Sequence, residues 1–183
     1  MSTTKLLALA LLFAGACESG SRTKDQPESG GGAPAAGKAA PCKGDKCLPN
    51  VNYVDTIGKA YTPENLAGKV VIVNFWATWC KPCLKEIPDL SKVQERFHDK
   101  GLVILGLMTD NPDGQTLLNF QSDNNMTYPV VRVNSDILVS YNYPESLPTT
   151  FVFDRTGKQV FSKVGAVTEE SLVALLEPLL AQK

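Results

Sequence analysis

The chain has no stretch long and apolar enough for a mature transmembrane helix, which excludes a helical span in the processed protein. It has no marked charge of either sign: the formal net charge of −1 argues against nucleic acid as its main partner. No internal repeat is visible. Histidine occurs once, as His98, and cysteine five times, so soft metal ligands are scarce. What is present suits one ordinary globular domain with appendages: 183 residues, of which 43% are apolar, enough for a real core.

The N-terminus departs from that plan. Lys5 is followed by LLALALLFAGA, a short apolar run ending in small residues before Cys17, which is the grammar of a secretory signal. AGAC resembles the lipobox of bacterial lipoproteins, in which the cysteine is diacylated and becomes the new N-terminus. A plain secretion signal with Cys17 incidental, or a short uncut anchor, stays open. Residues 18–41 are rich in Gly, Ala, Ser and Pro and hold no large apolar side chain, so they cannot repay their ordering entropy. The expected organisation is a signal peptide over 1–16, a lipidated flexible tether over 17–41, a Cys-containing extension over 42–50 and a folded domain over 51–183. With Cys17 lipidated, an even four cysteines remain, read as the two pairs Cys42/Cys47 and Cys80/Cys83 of an exported protein.

From residue 51 strand and helix patterns alternate. KVVIVNFWA (69–77) and LVILGLM (102–108) are β-branched, near-continuous apolar runs, the signature of strands buried on both faces. Between them, Leu84, Ile87, Leu90, Val93 and Phe97 recur at helical spacing from Cys80 to about Asp99, with Pro88 expected to kink that helix. A helix is expected over 113–124 and a short strand over 128–133. TTFVFD and KQVFSKVG flank a DRTG turn as an antiparallel hairpin, and Thr168 caps a closing helix that Pro178 is expected to cut short. The pattern is an α/β sandwich: a central mixed β-sheet flanked by helices, with an inserted helix between a βαβ and a ββα half.

Cys80 and Cys83 stand where a buried strand turns into a helix. A zinc site would need Cys42, Cys47 or His98 as further ligands and no such strand-to-helix setting. A purely structural disulfide over so small a loop adds little stability. Redox chemistry explains the setting: at a helix N-terminus, unsatisfied N–H groups and the macrodipole favour a thiolate at Cys80. Cys83, one turn on and on the same face, can resolve a mixed disulfide. Pro82 restrains the backbone between them, and Lys81 is either a tuning charge or a solvated helix-start residue.

VNFWATWCKPC resembles the active-site segment of the thioredoxin superfamily, and WCKPCLKEIP followed by LPTTFVFD resembles its TlpA/ResA-like branch. The resemblance covers roughly residues 51–183 and implies a thioredoxin fold and a membrane-anchored thiol–disulfide oxidoreductase on the periplasmic side of a bacterial membrane. It implies Cys80 as nucleophile, Cys83 as resolving thiol, Leu147-Pro148 as the cis-proline step beside the pair, and Trp79 on the substrate surface. Glu86 matches the glutamate that follows CxxC in that branch and is expected to relay the proton Cys83 must lose; a surface glutamate is the plainer alternative. Thioredoxin's buried aspartate is replaced by Asn74, which cannot titrate. His98 is expected to cap a helix end. No cofactor or metal is implied. The implied partners are protein disulfide or dithiol clients, of cytochrome c maturation type or another dedicated kind, and a membrane or soluble thioredoxin-like electron donor.

Cys42 and Cys47 fall outside the branch's pattern; a local disulfide pinning the domain's start is the first expectation, a second redox pair the sharper one. A thiol peroxidase on the related fold would carry PxxxTxxC, which ATWC does not provide. A copper-delivery module holding the metal on Cys80 and Cys83 is disfavoured because the cis-proline that the resemblance implies beside the pair tends to block a metal there, and Met108 and His98 are not placed to help.

Overall fold

The computed structural model describes residues 42–44 and 46–182. The expected signal peptide (1–16) and the whole of the expected tether (17–41), Cys17 included, lie outside those residues.

Two buried runs become the sheet's centre: β3 (Val70–Trp76) and β4 (Leu102–Met108) pair in parallel, with β5 (Val130–Arg132) parallel on the outer side of β4. On the other side β6 (Thr149–Phe153) runs antiparallel to β3, and β7 (Gln159–Val164) antiparallel to β6 through the Asp154–Gly157 turn. The five-stranded order is therefore β5-β4-β3-β6-β7, a mixed sheet. Gly157 takes φ +82° in that turn, and the Asp154 carboxylate accepts the N–H groups of Thr156 and Lys158.

Side-chain alternation sends two sets of residues to opposite faces. Val70, Ile72, Ile104 and Val152 meet α2 (Lys81–Phe97) and α5 (Glu169–Ala181) through Leu90, Val93, Phe97, Leu172 and Leu176. Val71, Val73, Phe75, Leu105, Leu107 and Phe153 face a second layer. That layer is built from the two-residue hairpin strands β1 (Tyr53–Val54) and β2 (Ala60–Tyr61), α1 (Pro63–Leu66) and α4 (Ser135–Ser140). A third cluster, where α3 (Gly114–Asp123) packs Leu117 against Trp76 and Met108, includes both Cys80 and Cys83.

Helix starts follow their caps. Thr168 accepts the Ser171 N–H, Asp113 that of Thr116 and Asn134 that of Ile137. α2 runs as one helix through Pro88, which lies on an exposed face. Two details differ from the sequence expectation. Between the two halves a further helix, α4, stands in addition to the expected helix (α3) and short strand (β5). α5 continues past Pro178 to Ala181, because a proline three residues from the end forfeits only one backbone bond.

Candidate active site

β3 ends at Trp76, and the chain crosses Ala77–Trp79 before α2 begins. That crossing is tightly held. The Cys80 N–H donates to the Ala77 carbonyl at 3.1 Å, and the Thr109 N–H to the Trp76 carbonyl at 2.9 Å. The Thr78 N–H donates to both carboxylate oxygens of Asp110 at 3.3 and 3.2 Å, and its hydroxyl donates to the same group. Asp110 sits in a loop braced from β5, where Arg132 donates to Asn111 Oδ1 and, at 2.7 Å, to the Pro112 carbonyl.

Cys80 is the N-cap of α2: its sulfur accepts the Cys83 N–H at 3.3 Å. The two sulfurs are bonded, with 5.2 Å between the Cα atoms, and only 4% of Cys80 and none of Cys83 is exposed. Cys80 thus lies where the helix presents its unsatisfied N–H groups and its positive end. Lys81 and Pro82 occupy the first two helical positions, both exposed. A proline there loses no intrahelical bond.

Trp79, beside the pair, is 70% exposed, whereas Trp76 is fully buried and stacks on Phe120 with ring centroids 5.3 Å apart. The register of β6 on β3 places Thr149 opposite Phe75, which brings the preceding residues to the same end of the sheet as Cys80. There the Leu147–Pro148 peptide is cis, and half-buried Leu147 packs against the cluster containing Cys80 and Cys83. The Pro148 carbonyl accepts the Gly165 N–H at 2.8 Å, fastening this step to the end of β7.

Glu86 lies one turn beyond Cys83 on α2, and both are buried. Its two oxygens each have a donor: Asn74 Nδ2 at 2.8 Å and the Val167 N–H at 2.9 Å. Asn74 Nδ2 also reaches Thr150 Oγ1 at 3.0 Å. Burial pushes the carboxyl from its usual 4.5 up to about 7, against the opposing pull of those two donors and of Lys163. A carboxyl poised there holds and gives up a proton at neutral pH. Nearby, the buried Tyr128 hydroxyl has no hydrogen-bond partner among the described residues, and burial raises its pKa well above the usual value, with Glu86 adding to the effect.

The remaining expected residues lie elsewhere. His98 is exposed in a 3-10 turn (His98–Lys100) after α2, at the opposite end of the helix from Cys80, with Nδ1 3.3 Å from the Glu95 carbonyl. Cys42 and Cys47 are disulfide-bonded beside the β6–β7 turn. The Cys42 N–H donates to the Thr156 carbonyl at 3.1 Å and the Leu48 N–H to that of Gly157 at 2.7 Å. This turn is at the far end of β6 from Pro148, so the length of that five-residue strand, about 17 Å, lies between them. Among the described residues no group of three or more His, Cys, Asp or Glu could hold a metal ion.

Thr78, Asp110, Thr150 and Val167 are site residues that the sequence reading does not single out. Their partners are 32, 76 and 81 residues away, and no local motif encodes such a pairing.

Comparison with known proteins agrees with this geometry. Residues 44–161 match the model of the AhpC/TSA family. The chain is 34% identical over 134 residues to the thiol-disulfide oxidoreductase ResA of Bacillus thuringiensis, covering 73% of this chain and 77% of that protein. It is 35% identical over 141 residues to ResA of Bacillus subtilis, covering 75% of each. A thiol:disulfide interchange protein of the thioredoxin family from Chlorobium tepidum superposes with a TM-score of 0.67 at 28% identity, over 74% of this chain and 97% of that one. With a thioredoxin fold and its Cys80-x-x-Cys83 pair set at the start of a helix, the chain belongs to the thioredoxin-like AhpC/TSA family and, within it, to the ResA-type thiol–disulfide oxidoreductases.

Proposed function

We propose that this oxidoreductase works as a reductase of exported client proteins, with Cys80 as the attacking and Cys83 as the resolving thiol. The carrying observation is the pair's placement: Cys80 caps α2, and Cys83 is fully buried behind it, one turn before a carboxyl titrating near neutrality.

The Cys80 thiolate attacks one sulfur of a client disulfide, forming a mixed disulfide and releasing the other client sulfur as a thiolate. Glu86 accepts the proton of the Cys83 thiol. Cys83 then attacks Cys80 Sγ, closing the Cys80–Cys83 disulfide and expelling the second client sulfur. Two electrons pass to the client, and a thioredoxin-like dithiol donor, in the membrane or soluble, restores the enzyme's own dithiol. Lys81 favours the thiolate, Pro82 limits the backbone between the sulfurs, and Trp79 with Leu147-Pro148 forms the surface on which an extended client segment lies. A carboxyl that ionises near the pair opposes a second negative charge, which supports a low reduction potential and hence the reducing direction.

Residues 1–16 act as a lipoprotein signal, Cys17 carries the lipid, and 17–41 tether the domain on the periplasmic side of a bacterial membrane. The client belongs to cytochrome c maturation or another dedicated thiol pathway. The Cys42–Cys47 disulfide is structural: its neighbours are backbone groups of the β6–β7 turn, far from the active pair.

The test is a Cys83→Ser variant of the full chain, which retains the attacking thiol and lacks the resolving one. It accumulates clients disulfide-linked to Cys80, and these separate on reduction. Absence of linked protein in Cys83→Ser, or its presence in Cys80→Ser, overturns the assignment. A reduction potential as high as that of an oxidase such as DsbA, about −120 mV, overturns the reducing direction.

A further inference from the structure

Asn74, Thr150 and Lys163 occupy directly opposed positions on three neighbouring strands: Asn74 pairs with Thr150, and Thr150 with Lys163. Opposed residues share a face, here the one covered by α2 and α5, since Phe161, two residues before Lys163, packs into the cluster on that side. The row runs outward from the buried Glu86, through Asn74 and Thr150, to exposed Lys163 on the edge strand. The β7–α5 corner closes it. Lys163 Nζ donates to the Ala166 carbonyl at 2.7 Å, and the next residue, Val167, donates its N–H to Glu86 Oε2. Lys163 and Glu86 therefore grip adjacent residues of one corner.

We propose that Lys163 is a positioning residue for Glu86: it fixes the corner that supplies the Val167 N–H and provides the positive charge that steadies the ionised carboxylate. Through Glu86 it sets the pH at which Cys83 becomes able to attack. This rests on Glu86 being the proton acceptor for Cys83. The direction agrees with the electrostatics, in which Lys163 pulls the Glu86 pKa down against burial. Other groups facing the carboxyl do not substitute. Burial holds the Tyr128 phenol neutral, and β3 and β6 offer only the non-titrating Asn74 and Thr150. On α2 itself Cys83 is the resolving thiol, and on α5 Glu169 is engaged by Lys92 at 3.3 Å.

The experiment uses the full chain as wild type, Lys163→Met, Lys163→Arg and Glu86→Gln. Two readouts are taken across pH: the single-turnover rate of mixed-disulfide resolution with a disulfide-bonded peptide probe, and the infrared band of a protonated buried carboxyl. The band requires no activity, and Glu86→Gln identifies it. Lys163→Met should move both midpoints to higher pH, because losing a cation favours the protonated acid, and Lys163→Arg should restore them. If Glu86→Gln leaves the resolution profile unchanged, the relay itself fails and this inference with it. If Glu86→Gln abolishes the titration but Lys163→Met leaves both midpoints at their wild-type values, the inference alone is overturned.

Discussion

Replacing Glu86 by glutamine tests the buried carboxyl through stability, independently of turnover. In the folded protein burial raises its pKa from 4.5 to about 7, so between those values the native state binds a proton that the unfolded chain has released. Stability contributed by the protonated acid is therefore complete below about pH 4.5 and lost progressively as pH rises to about 7. At roughly 1.4 kcal/mol per pH unit, that gap amounts to about 3 kcal/mol. Glutamine cannot titrate, so the variant lacks this slope. It carries a fixed cost of its own: one of the two donors now aimed at Glu86, Asn74 Nδ2 or the Val167 N–H, meets an NH2 group, at about 1–2 kcal/mol. In acid the variant should be the less stable protein, and above pH 7 the difference should shrink to nothing or reverse. Urea unfolding of the disulfide-bonded forms at closely spaced pH values from 4 to 8 measures it. A stability difference that stays flat across that range refutes the reasoning, because it means the carboxyl titrates in the fold as it does in the open chain.

Other consequences are equally concrete. Asp110→Ala releases the Thr78 clamp on the loop before Cys80 and should cost about 1–2 kcal/mol in urea unfolding, with slower insulin disulfide reduction as the loop loosens. Replacing Cys42 and Cys47 together by serine opens a small loop and should lower stability by about 2 kcal/mol while thiol exchange at Cys80 keeps its rate; a matching loss of turnover would assign that pair a redox role. Gly106→Ala drives a methyl to 2.9 Å from Tyr128 Cε2 and 3.0 Å from Trp76 Nε1, both buried, and should lower the thermal midpoint by an amount corresponding to about 1–3 kcal/mol.

The sequence by itself determined the elements whose signals are local. The runs at 69–77 and 102–108 are apolar enough to require burial on both faces, and both became central strands. Asp113 and Thr168 are caps because a side-chain oxygen reaches an N–H three residues on, and DRTG makes a hairpin because its residues bond within the turn. The placement of Cys80 at a helix start was legible for the same reason. The short pieces were not: α1 spans 4 residues, α4 spans 6, and β1 and β2 have 2 each, lengths too small for any periodicity to register. Tertiary structure alone decided the acid–base character of the site. Glu86 has the same composition on an exposed helix face as in the core. Strand register set Asn74 against it, α5 delivered the Val167 N–H from 81 residues away, and the surrounding apolar layers removed the water. A pKa is the difference in solvation and charge interaction between two protonation states, and those surroundings exist only once distant segments have packed together.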